Sequence, residues 1–277
     1  MKVRIVQFSP ALGDIEKNLD YHNLKISDAV KDGINLIVFP ELSISGYQLR
    51  DIIFDITKER INRTLVTLMK MSGEIDIVAG MPLEESPGIF YNSVIYFSGG
   101  QILHTHRKVQ LPNFGMFEEE MIFKAGEKFK SFQAGSMNNG FLICREILFP
   151  VNAYLYYLQN TDLIISVSNS PHRGMGPQGF SSHKLWERLG EVYSINYHQH
   201  FIFCNRTGFE DGIGFGGGSF YASPGKGIVN MGKYFEEQCI DCILDENEIR
   251  RARVSSNYFR DEKPDIIMKE MERILNG

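Results

Sequence analysis

The chain has 277 residues, of which 43% are hydrophobic and 23% charged, and its formal net charge at pH 7 is −5. So many apolar side chains exclude disorder, because their burial can offset the entropy lost on ordering. The acidic balance and the scattered lysines and arginines argue against a nucleic-acid partner. No run approaches the ~18 consecutive apolar residues of a membrane span. The amino terminus has no apolar secretory stretch, so we expect a cytoplasmic protein whose four cysteines remain thiols.

Strands and helices are predicted to alternate in the first half. A strand at residues 3–8 precedes a helix that is capped at Asp14 and ends near Gly33, because apolar residues recur there at helical spacing. Residues 35–39 form a short apolar run that is typical of a strand buried on both faces. Further predicted elements are a helix at 52–71, a strand at 75–79, a hairpin of 91–97 with 101–106, and a loop over 107–125.

The second half repeats this mixture. The pattern predicts strands at 141–144, 163–167, 201–205, 218–222 and 239–244, and helices at 151–159, 181–200 and 266–275. Pro150 suits the first turn of the helix at 151–159. No Pro-, Ser- or Gly-rich linker separates the halves. We therefore predict one α/β domain that spans residues 1–277.

Three reactive side chains follow predicted strands. Glu41 comes directly after the apolar run that ends in FP, Lys108 comes just after the hairpin, and Cys144 ends the strand GFLIC. In open α/β sheets ligands gather beyond the carboxyl ends of strands, so the three side chains can meet in one pocket. A thiol nucleophile, a carboxylate base and a fixed ammonium together suit acyl transfer from an amide through a thioester.

Longer motifs surround these three residues. They are FPELSISGY around Glu41, the stretch from Lys108 through LPNFGMFEEEMIF, and the Cys144 strand with Glu146 and Pro150. Together with the SNSP segment at 168–171, they resemble the nitrilase (carbon-nitrogen hydrolase) superfamily over nearly the whole chain. The stretches GYQLRDIIF and KVQLPNFGMFEEEMIF are most similar to the glutaminase domain of glutamine-dependent NAD synthetases. The sequence ends at Gly277, so we expect no synthetase domain to follow.

The resemblance implies a four-layer αββα sandwich that pairs through its helices into a homodimer. It also implies that Glu41 is the general base, that Cys144 is the nucleophile, and that Lys108 with the backbone N–H of Arg145 forms the oxyanion site. Glu119 matches the second acidic residue of the family, which helps to hold the lysine and to orient substrate. No cofactor or metal is implied.

Candidate substrate-binding residues lie in the same motifs. Tyr47 belongs to the first motif and Phe114 to the second. Arg145 follows the nucleophile directly, and His172 and Arg173 follow the SNSP segment. Because a guanidinium binds a carboxylate through two parallel hydrogen bonds, we expect a preference for amides that carry a carboxylate.

An alternative for the two arginines stays open. In that alternative Arg145 pairs with Glu146 or Glu119, and Arg173 is solvated. Neither arginine would then select the substrate.

Other motifs in the sequence have simpler interpretations. Cys239 and Cys242 form a CxxC, but no second ligand pair stands at zinc spacing, so we expect packing rather than metal binding. The glycines of residues 212–217 satisfy GxGxxG but precede a strand, which argues against a dinucleotide site. Ser181 and Lys184 match SxxK without its companion motifs, and we interpret them as a helix start.

The sequence thus predicts a cytoplasmic cysteine hydrolase that cleaves a small non-peptide amide and releases ammonia. A nitrile or an N-carbamoyl amine fits the same three residues, so both remain alternatives. A catalytically silent assembly subunit is the alternative outside enzymes.

Overall fold

The computed structural model describes residues 1–56, 58–176, 179–256 and 258–277. Its strands are β1 (Lys2–Gln7), β2 (Leu36–Val38), β3 (Asp76–Ser86), β4 (Ile89–Ser98), β5 (Gln101–Arg107), β6 (Phe132–Ala134), β7 (Met137–Ile143), β8 (Leu163–Ser168), β9 (Met175–Gly176), β10 (Gly179–Phe180), β11 (His200–Asn205), β12 (Thr207–Glu210), β13 (Ile213–Gly216), β14 (Phe220–Ser223), β15 (Gly227–Met231) and β16 (Gln238–Ile243). Its helices are α1 (Ile15–Lys31), α2 (Lys58–Met71), α3 (Glu119–Ile122), α4 (Pro150–Leu158), α5 (Ser181–Asn196), α6 (Glu246–Ser255), α7 (Tyr258–Asp261) and α8 (Pro264–Leu275), with 3₁₀ turns at Arg50–Asp55 and Cys144–Leu148.

Two six-stranded sheets form the centre of the molecule. The first has the order β16-β1-β2-β3-β4-β5, and the second has the order β15-β14-β11-β8-β7-β6. The strands β1, β2 and β3 run parallel in the first sheet, as do β7, β8 and β11 in the second. Antiparallel strands flank each parallel set. Parallel strands need cover on both faces, which explains their continuous apolar sequences.

Three apolar clusters separate four layers. Val6, Ile37 and Ile77 of the first sheet pack with Ile26 of α1 and Leu68 of α2. A second cluster joins the facing sides of the two sheets; its members include Val38, Val78, Ile143, Val167 and Cys204. A third lies between the second sheet and α4 with α5; its members include Ile164, Phe203, Tyr156, Trp186 and Tyr193. The predicted four-layer αββα sandwich is thus confirmed.

Local signals in the sequence explain several element boundaries. The Asp14 carboxylate accepts a hydrogen bond from the Lys17 N–H and caps α1, as predicted. Pro150 occupies the first turn of α4, where its missing N–H costs nothing. β4 and β5 pair around Gly99 and Gly100, both at positive φ, so the predicted hairpin is also confirmed. Ser181 begins α5, as expected for the SxxK segment.

Some predicted boundaries were wrong. The predicted helix at 52–71 is divided into a 3₁₀ turn and α2, and its residue 57 lies outside the described residues. The helix predicted at 181–200 ends at Asn196, because His200 already pairs with Leu163 in the parallel ladder of the second sheet. Strand β7 ends at Ile143, so Cys144 begins a 3₁₀ turn instead of ending a strand.

The strands β6, β9, β10, β12, β13 and β15 and the helices α3, α6 and α7 were not predicted. The helix α3 lies within the stretch 107–125 that was predicted as a loop. Within the part of the chain that the structure describes, no helix combines the length and apolar character needed to cross a bilayer.

Candidate active site

Glu41 lies in a buried loop beyond the carboxyl end of β2, where only 1% of its surface is exposed. Leu42, the next residue, has a φ of 46°, which is a costly conformation for a side chain of this kind. The loop crosses β3 at Gly80, where a Cβ atom would lie 2.4 Å from the Leu42 nitrogen. A glycine at this position therefore permits the close approach that buries Glu41.

Lys108 follows β5 directly and is fully buried. Its Nζ donates to Glu41 Oε1 and to Glu119 Oε1, each at 2.7 Å. An ammonium group has three N–H donors, so one more remains for another acceptor. Glu41 and Glu119 are buried as well, so the ammonium is enclosed together with its two carboxylate partners.

Glu119 is the member of the EEE run that turns inward. Glu118 and Glu120 are exposed, whereas Glu119 is buried and contacts Lys108. The Tyr47 hydroxyl donates to Glu119 Oε1 at 2.6 Å. Tyr47 and Glu119, both predicted as site residues, therefore lie together around the ammonium.

Two asparagines complete the environment of Glu41. Asn92 Nδ2 in β4 donates to Glu41 Oε1 at 2.8 Å and lies 3.5 Å from Glu119 Oε2. The backbone N–H of Asn169 donates to Glu41 Oε2 at 2.7 Å, and its side chain donates to the Glu41 carbonyl at 2.8 Å. Asn169 follows β8, so the second sheet fixes a carboxylate that the first sheet carries. The role of Asn92 was not predicted; an asparagine within the apolar run YNSVIYF was its only signal in the sequence.

Cys144 stands at the strained start of a 3₁₀ turn. Its φ is 46°, which for a non-glycine residue marks strain of the kind found at functional sites. Burial raises the pKa of the Cys144 thiol to about 12; the charge of Glu41 adds to the rise and that of Lys108 opposes it. The thiol is therefore neutral near pH 7 and needs a base to become a nucleophile.

Burial and neighbouring charges shift the pKa values of Lys108 and Glu119. Burial opposes the charge of Lys108, but the carboxylates of Glu119 and Glu41 outweigh it and raise the lysine pKa. Burial also raises the pKa of Glu119 to about 6, against the attraction of Lys108. The site thus holds the positive charge of Lys108 between Glu41 and Glu119 and beside a thiol that is neutral near pH 7. This set can accept a proton, attack a carbonyl carbon and stabilise an oxyanion.

Two arginines face two phenylalanines near this group. The Arg145 guanidinium lies 4.6 Å from the ring centroid of Phe114, and that of Arg173 lies 4.6 Å from the ring centroid of Phe117. The two rings meet edge to face at 5.4 Å, and Phe117 also meets Tyr47 at 6.3 Å. Phe114 is half exposed, whereas the arginines are partly buried. Phe117 was not predicted as a site residue.

The alternative pairing of Arg145 is not seen. Among the described residues neither Glu146 nor Glu119 forms an ion pair with Arg145. Arg173 Nε and Nη2 are buried and have no hydrogen-bond partner among the described residues. His172 lies in an aromatic cluster, 4.7 Å from Phe180 between ring centroids. Neither arginine is paired with a carboxylate of the described residues, so both can bind an anion. The sequence alone had not decided this point.

A second buried ion pair holds the loop that carries Tyr47. Arg206 Nη1 donates to Glu210 Oε2 at 2.5 Å, and both residues are buried. Glu210 Oε1 accepts the backbone N–H groups of Tyr47 and Gln48, at 2.9 and 2.7 Å. This pair was not predicted, because Glu210 lies in a hairpin that the sequence pattern did not indicate. Within the described ranges no three His, Cys, Asp or Glu side chains are arranged to hold a metal ion.

Comparison with known proteins places this geometry in a family. The family model described as carbon-nitrogen hydrolase matches residues 2–254. The chain belongs to the carbon-nitrogen hydrolase family. The predicted resemblance is thus confirmed.

The relatives match the chain over different shares of their own lengths. A glutamine-dependent NAD(+) synthetase from Thermotoga maritima is 32% identical over 252 residues, which cover 89% of this chain and 43% of the synthetase. A nitrilase from Pyrococcus abyssi is 28% identical over 94% of this chain and 100% of its own length. The crystal structure of a carbon-nitrogen hydrolase from Helicobacter pylori G27 superposes with a TM-score of 0.88 at 19% identity, covering 96% of each chain. The chain spans less than half the length of the first synthetases it matches, 43 to 46%.

Proposed function

We propose that this carbon-nitrogen hydrolase is an amidase that cleaves a small non-peptide amide and releases ammonia through a thioester on Cys144. The observation that carries the proposal is the buried Lys108 ammonium, held at 2.7 Å by both Glu41 and Glu119, beside a neutral thiol. A neutral thiol needs a base, and Glu41 is the carboxylate whose charge acts most strongly on it.

In the proposed reaction Glu41 removes the Cys144 proton while the sulfur attacks the amide carbon. The oxyanion is stabilised by the remaining N–H of Lys108 and by the backbone N–H of Arg145. The C–N bond breaks, the amine leaves as ammonia with the proton from Glu41, and the acyl group stays on sulfur. Glu41 then removes a proton from water, whose oxygen attacks the thioester carbon. The C–S bond breaks, the carboxylic acid is freed, and Glu41 returns the proton to the Cys144 sulfur.

We further propose that the amide carries a carboxylate, as a glutamine-like compound does. Arg173 has two buried nitrogen atoms without partners, and Arg145 has no carboxylate partner among the described residues. Phe114 and Phe117 lie against the two guanidinium groups, and their rings leave N–H donors for a bidentate contact. The relative from Thermotoga maritima is described as glutamine-dependent, which favours the same substrate class.

The test is ammonia release from a panel of small amides, with kcat/KM compared for an acid-headed amide and its neutral analogue. The wild type should hydrolyse the acid-headed amide faster, and the ratio should fall in Arg173→Ala or Arg145→Ala. Arg63→Ala, at an exposed arginine on helix α2, is the matched control and should leave this ratio of kcat/KM values unchanged. A wild type without this preference, or a preference unchanged in both site variants, would exclude the carboxylate.

Nitrile hydrolysis is the second candidate, because the Pyrococcus abyssi relative that matches over its whole length is described as a nitrilase. An N-carbamoyl amine fits the same residues. A nitrile and an amide both yield a carboxylic acid and ammonia, so mass spectrometry separates these two reactions by which substrate is consumed. A carbamoyl substrate is recognised by its products, an amine and carbon dioxide together with ammonia. A silent assembly subunit would leave all substrates intact, and its Cys144 would not react selectively with iodoacetamide.

We also propose that the chain forms one catalytic domain, works in the cytoplasm and pairs as a homodimer through its outer helices. Both sheets contribute to the candidate site, which supports a single domain. Exposed apolar side chains on α4 and α5 support the pairing; they are Val151, Leu155, Leu158, Leu185, Val192 and Ile195. A two-fold contact would bring each such patch against its own copy. Light scattering should give the mass of two chains or a multiple of it, and an active monomer at micromolar concentration would exclude the pairing.

A further inference from the structure

The carboxylate of Glu146 links the two chain segments that carry Lys108 and Cys144. Glu146 Oε1 accepts the backbone N–H of Val109 at 2.6 Å, and Oε2 accepts the backbone N–H of Ile143, also at 2.6 Å. Val109 follows Lys108, and Ile143 precedes Cys144. The two segments leave different sheets, so one fully buried side chain bridges the sheets next to the site.

Further side chains hold this link in place. His106 Nε2, in β5, lies 2.9 and 3.2 Å from the two Glu146 oxygens and is itself buried. The Asn152 amide at the start of α4 donates to the Glu146 carbonyl at 2.9 Å and to Gln110 Oε1 at 3.0 Å. A second connection between the same two segments therefore runs through Asn152 to Gln110.

The physical importance of such a link follows from the chemistry proposed above. An ammonium stabilises an oxyanion only when it is fixed where the charge develops, and a misplacement of about 1 Å can cost on the order of 10²-fold in rate. Lys108 is fixed to Glu41 and Glu119, and Asn169 ties Glu41 to the second sheet, but none of these bonds reaches the backbone of the Cys144 turn. Among the described residues, the Glu146 carboxylate accepts hydrogen bonds from the backbone of both segments.

We infer that Glu146 is a positioning residue that sets Lys108 against Cys144, with His106 and the Asn152–Gln110 contact as its supports. This inference rests on the proposed function, in which Lys108 stabilises an oxyanion formed by attack of Cys144. Glu146 itself neither contacts substrate nor exchanges a proton in the reaction.

The decisive variant is Glu146→Gln, which keeps the shape of the side chain. An amide has one accepting oxygen, so in either orientation its NH₂ group faces the backbone N–H of Val109 or Ile143 and one connection is lost. We expect kcat to fall about 10- to 10²-fold while KM changes less than about threefold, because the loss affects the transition state and not substrate binding. A purely structural role would lower the melting temperature and leave the kcat of the folded protein unchanged.

The matched control is Asp162→Asn. The Asp162 carboxylate accepts the backbone N–H of Asn138 at 3.0 Å, at the end of β7 that lies away from Cys144. Like Glu146, Asp162 accepts a backbone N–H of β7, but it has no connection to the site. The kcat of Asp162→Asn should therefore match that of the wild type. If Glu146→Gln does not fold, Gln110→Ala removes the second connection at a half-buried position. Its kcat should then fall a few-fold at constant KM, and an unchanged kcat would overturn the inference.

The experiment also separates this inference from the proposed function. Turnover of amides by the wild type tests the proposed function. The role of Glu146 is tested by the ratio of the kcat values of Glu146→Gln and wild type, measured on a compound that the wild type hydrolyses. If the wild type hydrolyses no compound, the rate of Cys144 alkylation by iodoacetamide decides instead. Lys108 lowers the thiol pKa, so a displaced ammonium should slow alkylation in Glu146→Gln, and equal rates in variant and wild type would overturn the inference.

Discussion

Two buried ionic clusters stand close together in this molecule and differ in one respect. Lys108 lies between the carboxylates of Glu41 and Glu119, and a thiol adjoins them. Arg206 pairs with Glu210 and lies 4.3 Å from the ring centroid of Phe215, while the other Glu210 oxygen accepts two backbone N–H groups. Both clusters are buried charges that need partners to be tolerated.

The difference lies in the hydrogen-bonding capacity that remains. The Arg206–Glu210 pair is occupied by the protein backbone and an aromatic ring, so it can only hold the Tyr47 loop. The Lys108 cluster retains a donor and stands beside a neutral nucleophile. Burial alone therefore does not distinguish the two clusters; the unused donor beside a protonated thiol is what supports the proposed chemistry at Lys108.

The largest expected effect comes from the nucleophile. Cys144→Ala removes the sulfur on which the proposed thioester forms, so the rate of ammonia release should fall by about 10⁴-fold or more. Circular dichroism should remain that of the wild type. Cys204→Ala, at a buried thiol between the sheets, is the control and should retain turnover per folded molecule. Substantial hydrolysis by a well-folded Cys144→Ala protein would contradict the proposed role.

A smaller loss is expected at the lysine. Lys108→Met preserves most of the side-chain volume but removes the ammonium, and we expect kcat to fall about 10²-fold or more. The change also leaves Glu41 and Glu119 facing each other without a cation, which should lower stability. Adding Glu119→Gln removes one of these charges, so Lys108→Met with Glu119→Gln should regain stability but not turnover. Recovery of kcat in the double variant would show that the ammonium is structural.

The protonation state of the thiol predicts a pH dependence. Burial raises the pKa of Cys144 to about 12, and alkylation needs the thiolate. The thiolate fraction should therefore rise about tenfold per pH unit from pH 7 to pH 9, whereas an ordinary thiol of pKa ~8.5 levels off near pH 9. Peptide mapping after iodoacetamide treatment distinguishes Cys144 from the exposed Cys239. A plateau at Cys144 below pH 9 would mean that Lys108 stabilises the thiolate in the resting protein.

The smallest effect on turnover is expected at the Arg206–Glu210 ion pair. Arg206→Met leaves Glu210 buried without its cation and should reduce the free energy of unfolding by about 3–5 kcal/mol. The kcat of the folded fraction should change less than about twofold, because the pair contacts neither the thiol nor the ammonium. Denaturant titration and kinetics on the same samples measure both quantities. A large fall in kcat without a stability change would place Arg206 among the reactive groups instead.

The amino-acid pattern was sufficient to predict most of the strands and helices that build the sandwich. Short apolar runs such as residues 35–39 and 163–167 became buried parallel strands, and Asp14 and Pro150 marked helix starts, because burial and capping act over a few neighbouring residues. The end of α5 was misjudged for the opposite reason. Residues 197–200 continue a helical pattern, but pairing with the distant β8 captures His200 as a strand.

The motifs drew attention to Glu41, Lys108 and Glu119, and the fold brings these three side chains into contact. What the chain pattern could not provide were the contacts between residues far apart in sequence. Asn92 and Asn169 hold Glu41 across 51 and 128 residues, Glu146 reaches Val109 across 37, and Glu210 reaches Tyr47 across 163. Hydrogen bonds of this kind depend on ångström-scale distances between two sheets. Only the packed sandwich sets those distances, whereas strand and helix propensity is already present in each local stretch of sequence.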